Sequence, residues 1–348
     1  MPLEEPHWWY GNKRSLTARL LYPLSVLFAR ISQNRMQRSP QKRASLPVIC
    51  VGNFTAGGTG KTPLAIALAD MVKAAGGQPV FLSRGHGGRF KGPHAVSLQT
   101  DHAGNVGDEP LLLANHATTV IARDRTLGAD LIEREKLGTV IIMDDGLQNP
   151  GLFKDLTIAV LDGRRGIGNG HVIPSGPLRA PLAVQLLKVH ALVIYGPASA
   201  NLVSTLQPHI LPMFEANVKP VGDVQWIAKK PLLAFAGIGN PHRFFGLLQK
   251  LGGQIVDMRS FPDHHVYSAK DADSLLRRAE ELEAQLVTTT KDFVRINPET
   301  SSAHSHLKSQ CRTLPIRATF SPDDANALQA LINGIVQKKY YSADTEES

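Results

Sequence analysis

The sequence predicts an α/β protein: a doubly wound, mostly parallel sheet followed by a second, smaller α/β domain. After Pro47, short runs rich in Val, Ile and Leu alternate with helical stretches, and a second alternation of the same kind begins near Pro231. Near-continuous apolar content is typical of strands buried on both faces, as parallel sheets require. The 348 residues are enough for two domains with a sizeable core.

The order of elements follows from this pattern. In the first alternation the predicted strands are Val48–Val51, Pro79–Ser83, Thr119–Ala122, Val140–Met143, Ile158–Leu161 and Ala191–Tyr195, and the predicted helices are Pro63–Ala75, Pro110–Ala117 and Leu127–Leu137. In the second, strands are predicted at "LLAFAGI", "GQIVDMRSF" and "AQLVTTT", with helices at His242–Leu251 and Ala269–Glu283. The predicted domains are therefore 46–210 and 225–335, with a boundary in the proline-containing stretch 205–225 and a disordered tail at 336–348.

The basic charge of the chain is concentrated at its N-terminus. The formal net charge is +8, and residues 1–43 hold eight Lys and Arg against two Glu, which leaves +2 for the remaining 305 residues. A nucleic-acid-binding protein would carry a basic stripe on its body, so we expect no nucleic-acid partner. The two cysteines, Cys50 and Cys311, are too few for a disulfide framework, which favours a reducing compartment.

The N-terminal segment 1–45 is predicted to be amphipathic and membrane-associated. The run Leu20–Ala29 is apolar and uncharged but contains Pro23, and it has half of the roughly 20 residues that a membrane span needs. No small-residue cleavage site follows it, which argues against a signal peptide. Basic residues flank it, and Trp8, Trp9 and Tyr10 precede it, as in segments that lie on an anionic membrane surface. The alternative is a helix packed on the protein's own core.

The stretch "GNFTAGGTGKTP" (52–63) directly follows the first predicted strand. It matches the P-loop pattern G-x-x-x-x-G-K-[ST], except that Thr55 stands at the first glycine position. Lys61 is expected to reach the β- and γ-phosphates of a nucleotide, and the Thr62 hydroxyl to ligate Mg²⁺. The core is therefore predicted to be of the P-loop NTPase type, with a nucleotide-binding loop formed by Thr55, Ala56, Gly57, Gly58, Thr59, Gly60, Lys61 and Thr62.

Two acidic pairs are candidates for the chemistry. Asp144 and Asp145 end a buried strand at the edge where α/β proteins bind ligands, and a metal role fits either of them; a helix cap is the alternative. Asp108 and Glu109 precede Pro110 in "VGDEP". Asp108 is either an N-cap or the base that takes a proton from an attacking hydroxyl, and spacing alone does not separate these two interpretations.

The motif "FPDHHVY" (261–267) places two histidines just after a predicted strand. Zinc ligation is one interpretation, but no matching Cys/His pair stands elsewhere in the sequence. A lone histidine is more often structural than catalytic. Only a partner carboxylate would favour a catalytic role.

Together these motifs resemble the tetraacyldisaccharide 4'-kinase family of the lipid A pathway. The resemblance runs from about residue 8 to residue 320 in the right order. It rests on "GNFTAGGTGKTP", "LSRGHGG", "VGDEP", "DDGLQ", "DGRRGIGNGHVIPSGPLR", "GIGNPHRFF", "FPDHHVY" and "VTTTKD".

The resemblance implies a specific reaction and place. An enzyme of this family transfers the γ-phosphate of ATP, with Mg²⁺, to the 4'-hydroxyl of a tetraacylated glucosamine disaccharide 1-phosphate, the lipid A precursor. It would act as a peripheral or monotopic protein on the cytoplasmic face of the bacterial inner membrane, and we expect a monomer. A membrane-associated N-terminus agrees with this, because each CH₂ moved into water costs about 0.8 kcal/mol and a four-chain lipid stays in the bilayer.

The resemblance also implies residue roles. Asp108 matches the carboxylate that acts as base, His264 the histidine that pairs with it across the domain interface, and Lys61 the P-loop lysine. Arg125 matches a basic position near the transferring phosphate. The implied metal residues are Thr62, Glu109, Asp144 and Asp145, and the implied substrate-binding residues are Arg84, Gln148 and Arg179.

Two positions depart from the family pattern. His86 stands where the family usually has tyrosine, and Asn149 where "DDGLQ" is usually followed by histidine. Both keep hydrogen-bonding ability, so activity is expected to survive. A P-loop switch or ATPase that regulates a membrane partner is the rival hypothesis, since it would share the nucleotide residues but need no lipid acceptor.

Overall fold

The computed structural model describes residues 6–11 and 15–344. Its strands are β1 (Val48–Asn53), β2 (Pro79–Ser83), β3 (His94–Ala95), β4 (Thr119–Ile121), β5 (Val140–Asp144), β6 (Leu156–Asp162), β7 (Ala191–Tyr195), β8 (Met213–Pro220), β9 (Leu232–Ala236), β10 (Ile255–Ser260), β11 (Gln285–Thr288), β12 (Cys311–Thr313) and β13 (Ile316–Phe320).

Its α-helices are α1 (Leu16–Met36), α2 (Lys61–Ala74), α3 (Ala103–Val106), α4 (Asp108–Ala114), α5 (Arg125–Arg134), α6 (Leu182–Leu186), α7 (Ala200–Leu206), α8 (Pro241–Lys250), α9 (Ala269–Glu281), α10 (Thr290–Phe293), α11 (Ser302–Gln310) and α12 (Pro322–Asp344). Two short 3₁₀ turns lie at His7–Trp9 and Gln225–Ala228.

The larger sheet has nine strands in the order β13-β8-β7-β6-β1-β5-β2-β4-β3, and only its two edge pairings, β13 with β8 and β3 with β4, are antiparallel. Strand β1 lies between β5 and β6 and is buried along its whole length. Val51 of β1 is in register with Asp144 of β5, so the glycine-rich turn after β1 and the acidic pair after β5 leave the same edge of the sheet. The predicted doubly wound, mostly parallel sheet is confirmed.

Apolar side chains cover both faces of this sheet. On one face Leu64, Leu68 and Val72 of α2 pack with strand residues and with α12. On the other face two clusters form: Ala129 and Ile132 of α5 pack over β5 and β2, and residues of α6 and α7 pack over β6 and β7. The functional edge is therefore built on a rigid two-sided core.

The smaller sheet is parallel throughout, in the order β10-β9-β11-β12. Helix α9 begins with a capping box in which Ser268 and Asp271 satisfy each other's backbone N–H groups, and its apolar face packs on β9 and β11. Helix α8 begins with Pro241 at its first position and packs Phe244, Phe245 and Leu248 on the opposite face. This is the second α/β unit that the sequence predicts.

The predicted division of the chain differs from the structure at both ends of the smaller unit. Strand β8 runs through the stretch 205–225, which was expected to be a boundary, and it extends the larger sheet. The chain then returns: β13 pairs with β8, and α12 packs Leu328, Ile332 and Val336 on the core of the larger sheet. These three residues are four apart and form one apolar helix face, so residues 316–337 belong with the first domain.

The tail also differs from its prediction. Helix α12 continues through Asp344, whereas residues 336–348 were expected to be disordered. Residues 345–348 lie outside the described part of the chain.

Helix α1 shows one packed side and one exposed side. Ala18, Ser25 and Met36 are buried, and the Ser25 hydroxyl donates to the Val172 carbonyl at 2.6 Å. A second side of the helix exposes an apolar row to solvent, with Leu20 80% exposed; the row consists of Leu16, Leu20, Leu24, Leu27, Phe28 and Ile31. Part of the helix thus packs on the protein, as the alternative interpretation held, while the apolar row has no cover within the described chain.

The aromatic residues before α1 pack on the chain itself. Trp9 Nε1 donates to the Pro174 carbonyl at 3.1 Å, and the guanidinium carbon of Arg165 lies 4.8 Å from the Tyr10 ring centroid. Within residues 6–11 and 15–344, no helix combines the length and apolar character needed to cross a bilayer.

Candidate active site

The glycine-rich turn connects β1 to α2 with the geometry of a phosphate-binding loop. Gly60 is the N-cap of α2 and has φ of +92°, a left-handed conformation that favours glycine. A side chain there would also meet the ring of Tyr195, 2.8 Å from an ideal Cβ. The backbone N–H groups of the turn and the first turn of α2 form a positive end suited to phosphate.

The loop is held in shape by side chains beneath it. Nδ2 of Asn53 donates to the Thr55 carbonyl at 2.7 Å and to the Thr59 hydroxyl at 3.0 Å. Thr55 is buried and forms a β-bridge with Leu178, so its extended backbone explains why this position of the pattern needs no glycine.

Lys61 opens α2 and points toward the acidic end of β5. Its Nζ lies 3.6 Å from Oδ1 of Asp145 and 3.4 Å from Oδ1 of Asn53. The ammonium group therefore lies between the P-loop and the acidic pair, where a P-loop lysine meets the terminal phosphates of a nucleotide.

The two aspartates at the end of β5 have different environments. Both carboxylate oxygens of Asp144 are buried and have no hydrogen-bond partner among the described residues. Burial, with the charges of Glu109 and Asp145, raises the pKa of Asp144 to about 7. A buried carboxylate with no donor is costly unless a cation neutralises it.

Asp145 has φ of +50° and both oxygens contact Nη1 of Arg179, at 2.8 and 3.0 Å. Burial alone would raise the pKa of Asp145, but the charges of Lys61 and Arg179 hold it well below its usual range. Nε of Arg179 also donates to the Thr55 carbonyl at 3.1 Å. Arg179, expected at the substrate, thus contacts the acidic pair and the P-loop.

These residues fit a magnesium ion that is held jointly with nucleotide. Within the described chain, no group of three or more His, Cys, Asp and Glu side chains is arranged to hold a metal without other ligands. Mg²⁺ in phosphoryl-transfer sites commonly uses one or two carboxylates and completes its shell with phosphate oxygens and water. The orphaned oxygens of Asp144 supply that kind of partial shell, and Thr62 is the second residue of α2, directly after Lys61.

The "VGDEP" aspartate meets the histidine of "FPDHHVY" across the two domains. Nδ1 of His264 lies 3.0 Å from Oδ2 of Asp108, and Nε of Arg295 donates to the same oxygen at 2.6 Å. Asp108 is buried. Burial alone would raise its pKa, but the hydrogen bond with His264 and the charges of Lys291 and Arg295 hold the pKa of Asp108 well below its usual range. The partner carboxylate that a catalytic histidine needs is present.

Asp108 also begins α4, so the capping interpretation has a structural counterpart. Its Oδ1 accepts the N–H of Glu109 at 2.8 Å, whereas the N-cap itself is Gly107, with φ of +93°. The carboxylate therefore faces the helix start with one oxygen and the second domain with the other.

Glu109 pairs with Lys291, whose Nζ lies 3.1 Å from Oε1. Burial alone would raise the pKa of Glu109, but the charges of Lys291 and Lys61 lower it. Sequence reasoning missed Lys291 and Arg295 as site residues. Lys291 stands in "VTTTKD", one of the motifs of the family resemblance, but no role was assigned to it, and Arg295 lies four residues further on.

The remaining predicted residues lie at the margins of the site. Arg125 is buried at the start of α5, with Nη1 donating to the Ala122 carbonyl, while Nε has no hydrogen-bond partner in the part of the chain that the structure describes. Burial lowers its pKa to about 10 against the charges of Asp144 and Asp145. Arg84 is exposed just after β2, and its charge acts on Arg125. The structure thus places Arg125 behind the acidic pair.

Gln148, an implied substrate-binding residue, uses both N–H bonds of its side-chain amide within the protein. Its Nε2 donates to the Asn53 carbonyl and to Oε1 of Gln185, each at 2.8 Å. Asn149 accepts the N–H of Gly151 at 2.8 Å and so stabilises a turn. The ring of His86 packs edge-on against His264, with 5.2 Å between centroids.

A loop of the smaller domain lies against the P-loop. An ideal Cβ built on Gly239 would lie 3.3 Å from the backbone nitrogen of Gly58 and 3.4 Å from Oδ2 of Asp263. Close by, Arg243 of α8 donates to Asp162 at the end of β6, at 2.9 Å. A loop of the second domain therefore lies directly against the phosphate-binding loop.

The assembled groups suit phosphoryl transfer. Backbone N–H groups at the start of α2 and the ammonium of Lys61 can offset phosphate charge, Asp144 offers unpartnered carboxylate oxygens to a cation, and the Asp108–His264 contact can take up a proton.

Comparison with known proteins points the same way. The family model described as tetraacyldisaccharide-1-P 4'-kinase matches residues 17–337. A tetraacyldisaccharide 4'-kinase of Methylobacterium nodulans is 46% identical over 331 residues, which cover 94% of this chain and 95% of the relative. The corresponding protein of Parvibaculum lavamentivorans is 43% identical over 342 residues, covering 97% and 99%.

A solved structure is similar over the whole fold. The crystal structure of LpxK from Aquifex aeolicus in complex with ATP superposes with a TM-score of 0.72 at 26% identity, covering 92% of this chain and 100% of that one.

Proposed function

This chain belongs to the tetraacyldisaccharide 4'-kinase family, and on that premise we propose which of its residues carry the reaction. The protein is an ATP-dependent kinase of lipid A biosynthesis that phosphorylates a 4'-hydroxyl. The acceptor is the lipid A disaccharide precursor. The observation that carries the residue assignment is the 3.0 Å contact between Asp108 and His264 at the edge that also holds Lys61.

In the proposed mechanism the P-loop binds the phosphates of ATP. The N–H groups of 57–62 and the ammonium of Lys61 would hold the β- and γ-phosphates and offset their charge. Asp144 and Thr62 would hold Mg²⁺, which supplies charge neutralisation on the transferring phosphoryl group when bound. Arg179 keeps Asp145 beside Lys61, and Arg125 adds positive potential behind the acidic pair.

The Asp108–His264 pair is proposed to take the proton of the attacking hydroxyl. The charge of Arg295 keeps Asp108 ionised, and the carboxylate fixes the orientation of the imidazole through Nδ1. A carboxylate alone is a weak base, whereas a pair that includes an imidazole can pass the proton onward. The two groups act as one unit, so proton uptake belongs to the pair.

The acceptor is proposed to be reached at the membrane surface. The apolar row of α1 is the feature that supports this, because its leucines are exposed along one side while Arg19 and Arg30 flank it. Such a helix can lie at the headgroup level with its arginines on anionic lipid phosphates. We further propose that the protein acts as a monomer on the cytoplasmic face of the inner membrane.

The reaction is tested with γ-labelled ATP and vesicles that contain the lipid A precursor. We expect label in the lipid fraction, and a Lys61→Ala variant should transfer none. Lys73→Ala is the matched control, since Lys73 lies on the same helix with a half-exposed side chain. Release of labelled free phosphate without labelled lipid would instead support the nucleotide switch.

A further inference from the structure

Arg295 lies just after α10 in the smaller domain, and its side chain is 4% exposed. Its Nε donates to Oδ2 of Asp108 at 2.6 Å, and its Nη2 forms an ion pair with the same oxygen. The residue therefore brings a buried positive charge from one domain to the carboxylate of the other. Asp108 begins α4 of the larger unit and Arg295 follows α10 of the smaller one, 187 residues further along the chain, so the contact exists only where the two units meet.

The guanidinium is fixed from its own domain. Its Nη1 donates to Oδ1 of Asp292 at 2.8 Å and to the Gly237 carbonyl at 2.6 Å. Asp292 is fully buried and in turn accepts from the hydroxyls of Tyr267 at 3.0 Å and Thr289 at 2.6 Å. A planar guanidinium with both ends occupied in this way has one orientation.

The same carbonyl connects Arg295 to the histidine. The Gly237 carbonyl also accepts the backbone N–H of His264 at 3.2 Å. The guanidinium thus touches Asp108 with one end and, with the other, the carbonyl that holds the His264 backbone.

We propose that Arg295 is a positioning residue for phosphoryl transfer: it holds the Asp108 carboxylate at the distance and orientation at which His264 can pair with it. The inference rests on the proposed role of Asp108. Displacing a catalytic group by about 1 Å costs on the order of 100-fold in rate. Removing the guanidinium lowers kcat while leaving the P-loop contacts to nucleotide in place.

The test compares Arg295→Ala and Arg295→Lys with Arg278→Ala in the full-length protein, using labelled ATP and vesicle-borne precursor. Arg278 is also an arginine of the smaller domain that pairs with acids, but it does so on the surface, with Asp257 and Glu281. We expect Arg295→Ala to lose about 100-fold in kcat with the KM for ATP changed less than about threefold. Arg278→Ala keeps the wild-type kcat.

Arg295→Lys keeps the charge but loses the fork that spans three acceptors, so its kcat falls at least about tenfold. Low-millimolar guanidinium should enter the space left in Arg295→Ala and restore part of kcat in a saturable way, with no effect on Arg278→Ala. A purely structural role would not respond to added guanidinium. Wild-type kcat in Arg295→Lys, or absence of rescue in a folded Arg295→Ala, overturns the proposal.

A double-mutant cycle separates this inference from the role of Asp108. If Arg295 acts through Asp108, Asp108→Asn and the Asp108→Asn, Arg295→Ala double variant have the same kcat, because the second change removes nothing further. Additive losses overturn the positioning role. Full activity in Asp108→Asn would instead overturn the proposed role of Asp108. Melting temperatures with and without ATP show that each variant is folded and binds nucleotide.

Discussion

Oδ2 of Asp108 lies 3.0 Å from Nδ1 of His264, although 156 residues separate them in the chain and Asp108 begins α4 of the larger unit while His264 follows β10 of the smaller one. In the proposed mechanism this contact forms the proton-accepting pair, and it exists only where the two domains touch. A catalytic group divided in this way links the chemistry to the relative position of the domains.

Replacing Asp108 with Ala should lower turnover far more than it weakens ATP binding. Loss of a general base costs about 10²- to 10⁴-fold in kcat, while the P-loop contacts to ATP remain. Steady-state kinetics with vesicle-borne precursor and the ATP-dependent rise in melting temperature measure the two effects. Asp70→Asn is the control, because Asp70 is an exposed acid on α2. Unchanged turnover in Asp108→Ala would refute the assignment of the base.

The burial of Asp144 predicts a pH dependence of stability in the absence of Mg²⁺. The pKa of Asp144 is about 7 in the folded protein, above the ordinary 3.8, so the folded state binds its proton more tightly than the unfolded state does. The stabilisation of the folded state by protonated Asp144 is therefore fully present below about pH 4 and is lost as the pH rises through about 7. The free energy of unfolding falls there by up to about 1.4 kcal/mol per pH unit.

Asp144→Asn should remove that contribution. Without Mg²⁺ the variant should melt higher than the wild type at pH 8, and the gap should shrink at pH 5. Mg²⁺ with ATP should stabilise the wild type but stabilise Asp144→Asn much less. Asp124→Asn serves as the control, since Asp124 is exposed and caps α5. Equal Mg²⁺-dependent stabilisation of both proteins would exclude Asp144 as a metal ligand.

A side chain at Gly239 should interfere with nucleotide use. Its Cβ would lie 3.3 Å from the Gly58 nitrogen, so the larger side chain of Gly239→Val would press on the loop that binds phosphate. We expect kcat/KM for ATP to fall about tenfold, which is about 1.4 kcal/mol. Gly246→Ala is the matched control: nothing lies within 4 Å of its Cβ, and it should stabilise α8 by roughly 0.5–1 kcal/mol. Equal kcat/KM for ATP in Gly239→Val and wild type would show that the loop accommodates the larger side chain and would contradict the prediction.

The apolar row of α1 should govern vesicle binding. A Leu20→Ser, Leu24→Ser variant should fold normally, because these side chains are 80% and 57% exposed. Burying a leucine contributes about 1.5–3 kcal/mol, so partitioning onto anionic vesicles should fall at least about tenfold. Sedimentation with vesicles measures this. Leu187→Ser, at a leucine 84% exposed outside α1, should bind as the wild type does. If both variants bind vesicles equally, α1 is not the contact surface.

The central strands and the P-loop were predictable because their signals are local. Strand β1 is an unbroken apolar run that ends in a glycine-rich turn, and β5 ends in two adjacent aspartates, so each stretch carries both its structure and its chemistry. Asp108 and His264 were paired in advance only through a family resemblance. Their residue spacing left each with a structural alternative.

Other parts of the fold and of the candidate site carry no local signal in the sequence. Lys291 and Arg295 meet their acids 182 and 187 residues away, and nothing in "TTTKDFVR" indicates charges that point at another domain. Strand β13 is short and only Ala318 of it is buried, so its return to the first sheet depends on pairing with β8. The apolar run Leu20–Ala29 gave no bounds for α1, and Pro23 lies inside the helix on its exposed side.

The exposed leucines of α1 have a consequence for how the enzyme meets its acceptor. A protein held at a bilayer by that face searches in two dimensions, and its encounters depend on how densely the acceptor is spread among neighbouring lipids. Adding inert lipid would then slow turnover at a constant amount of acceptor per volume. The rate of phosphorylation would then depend on the lipid composition of the leaflet.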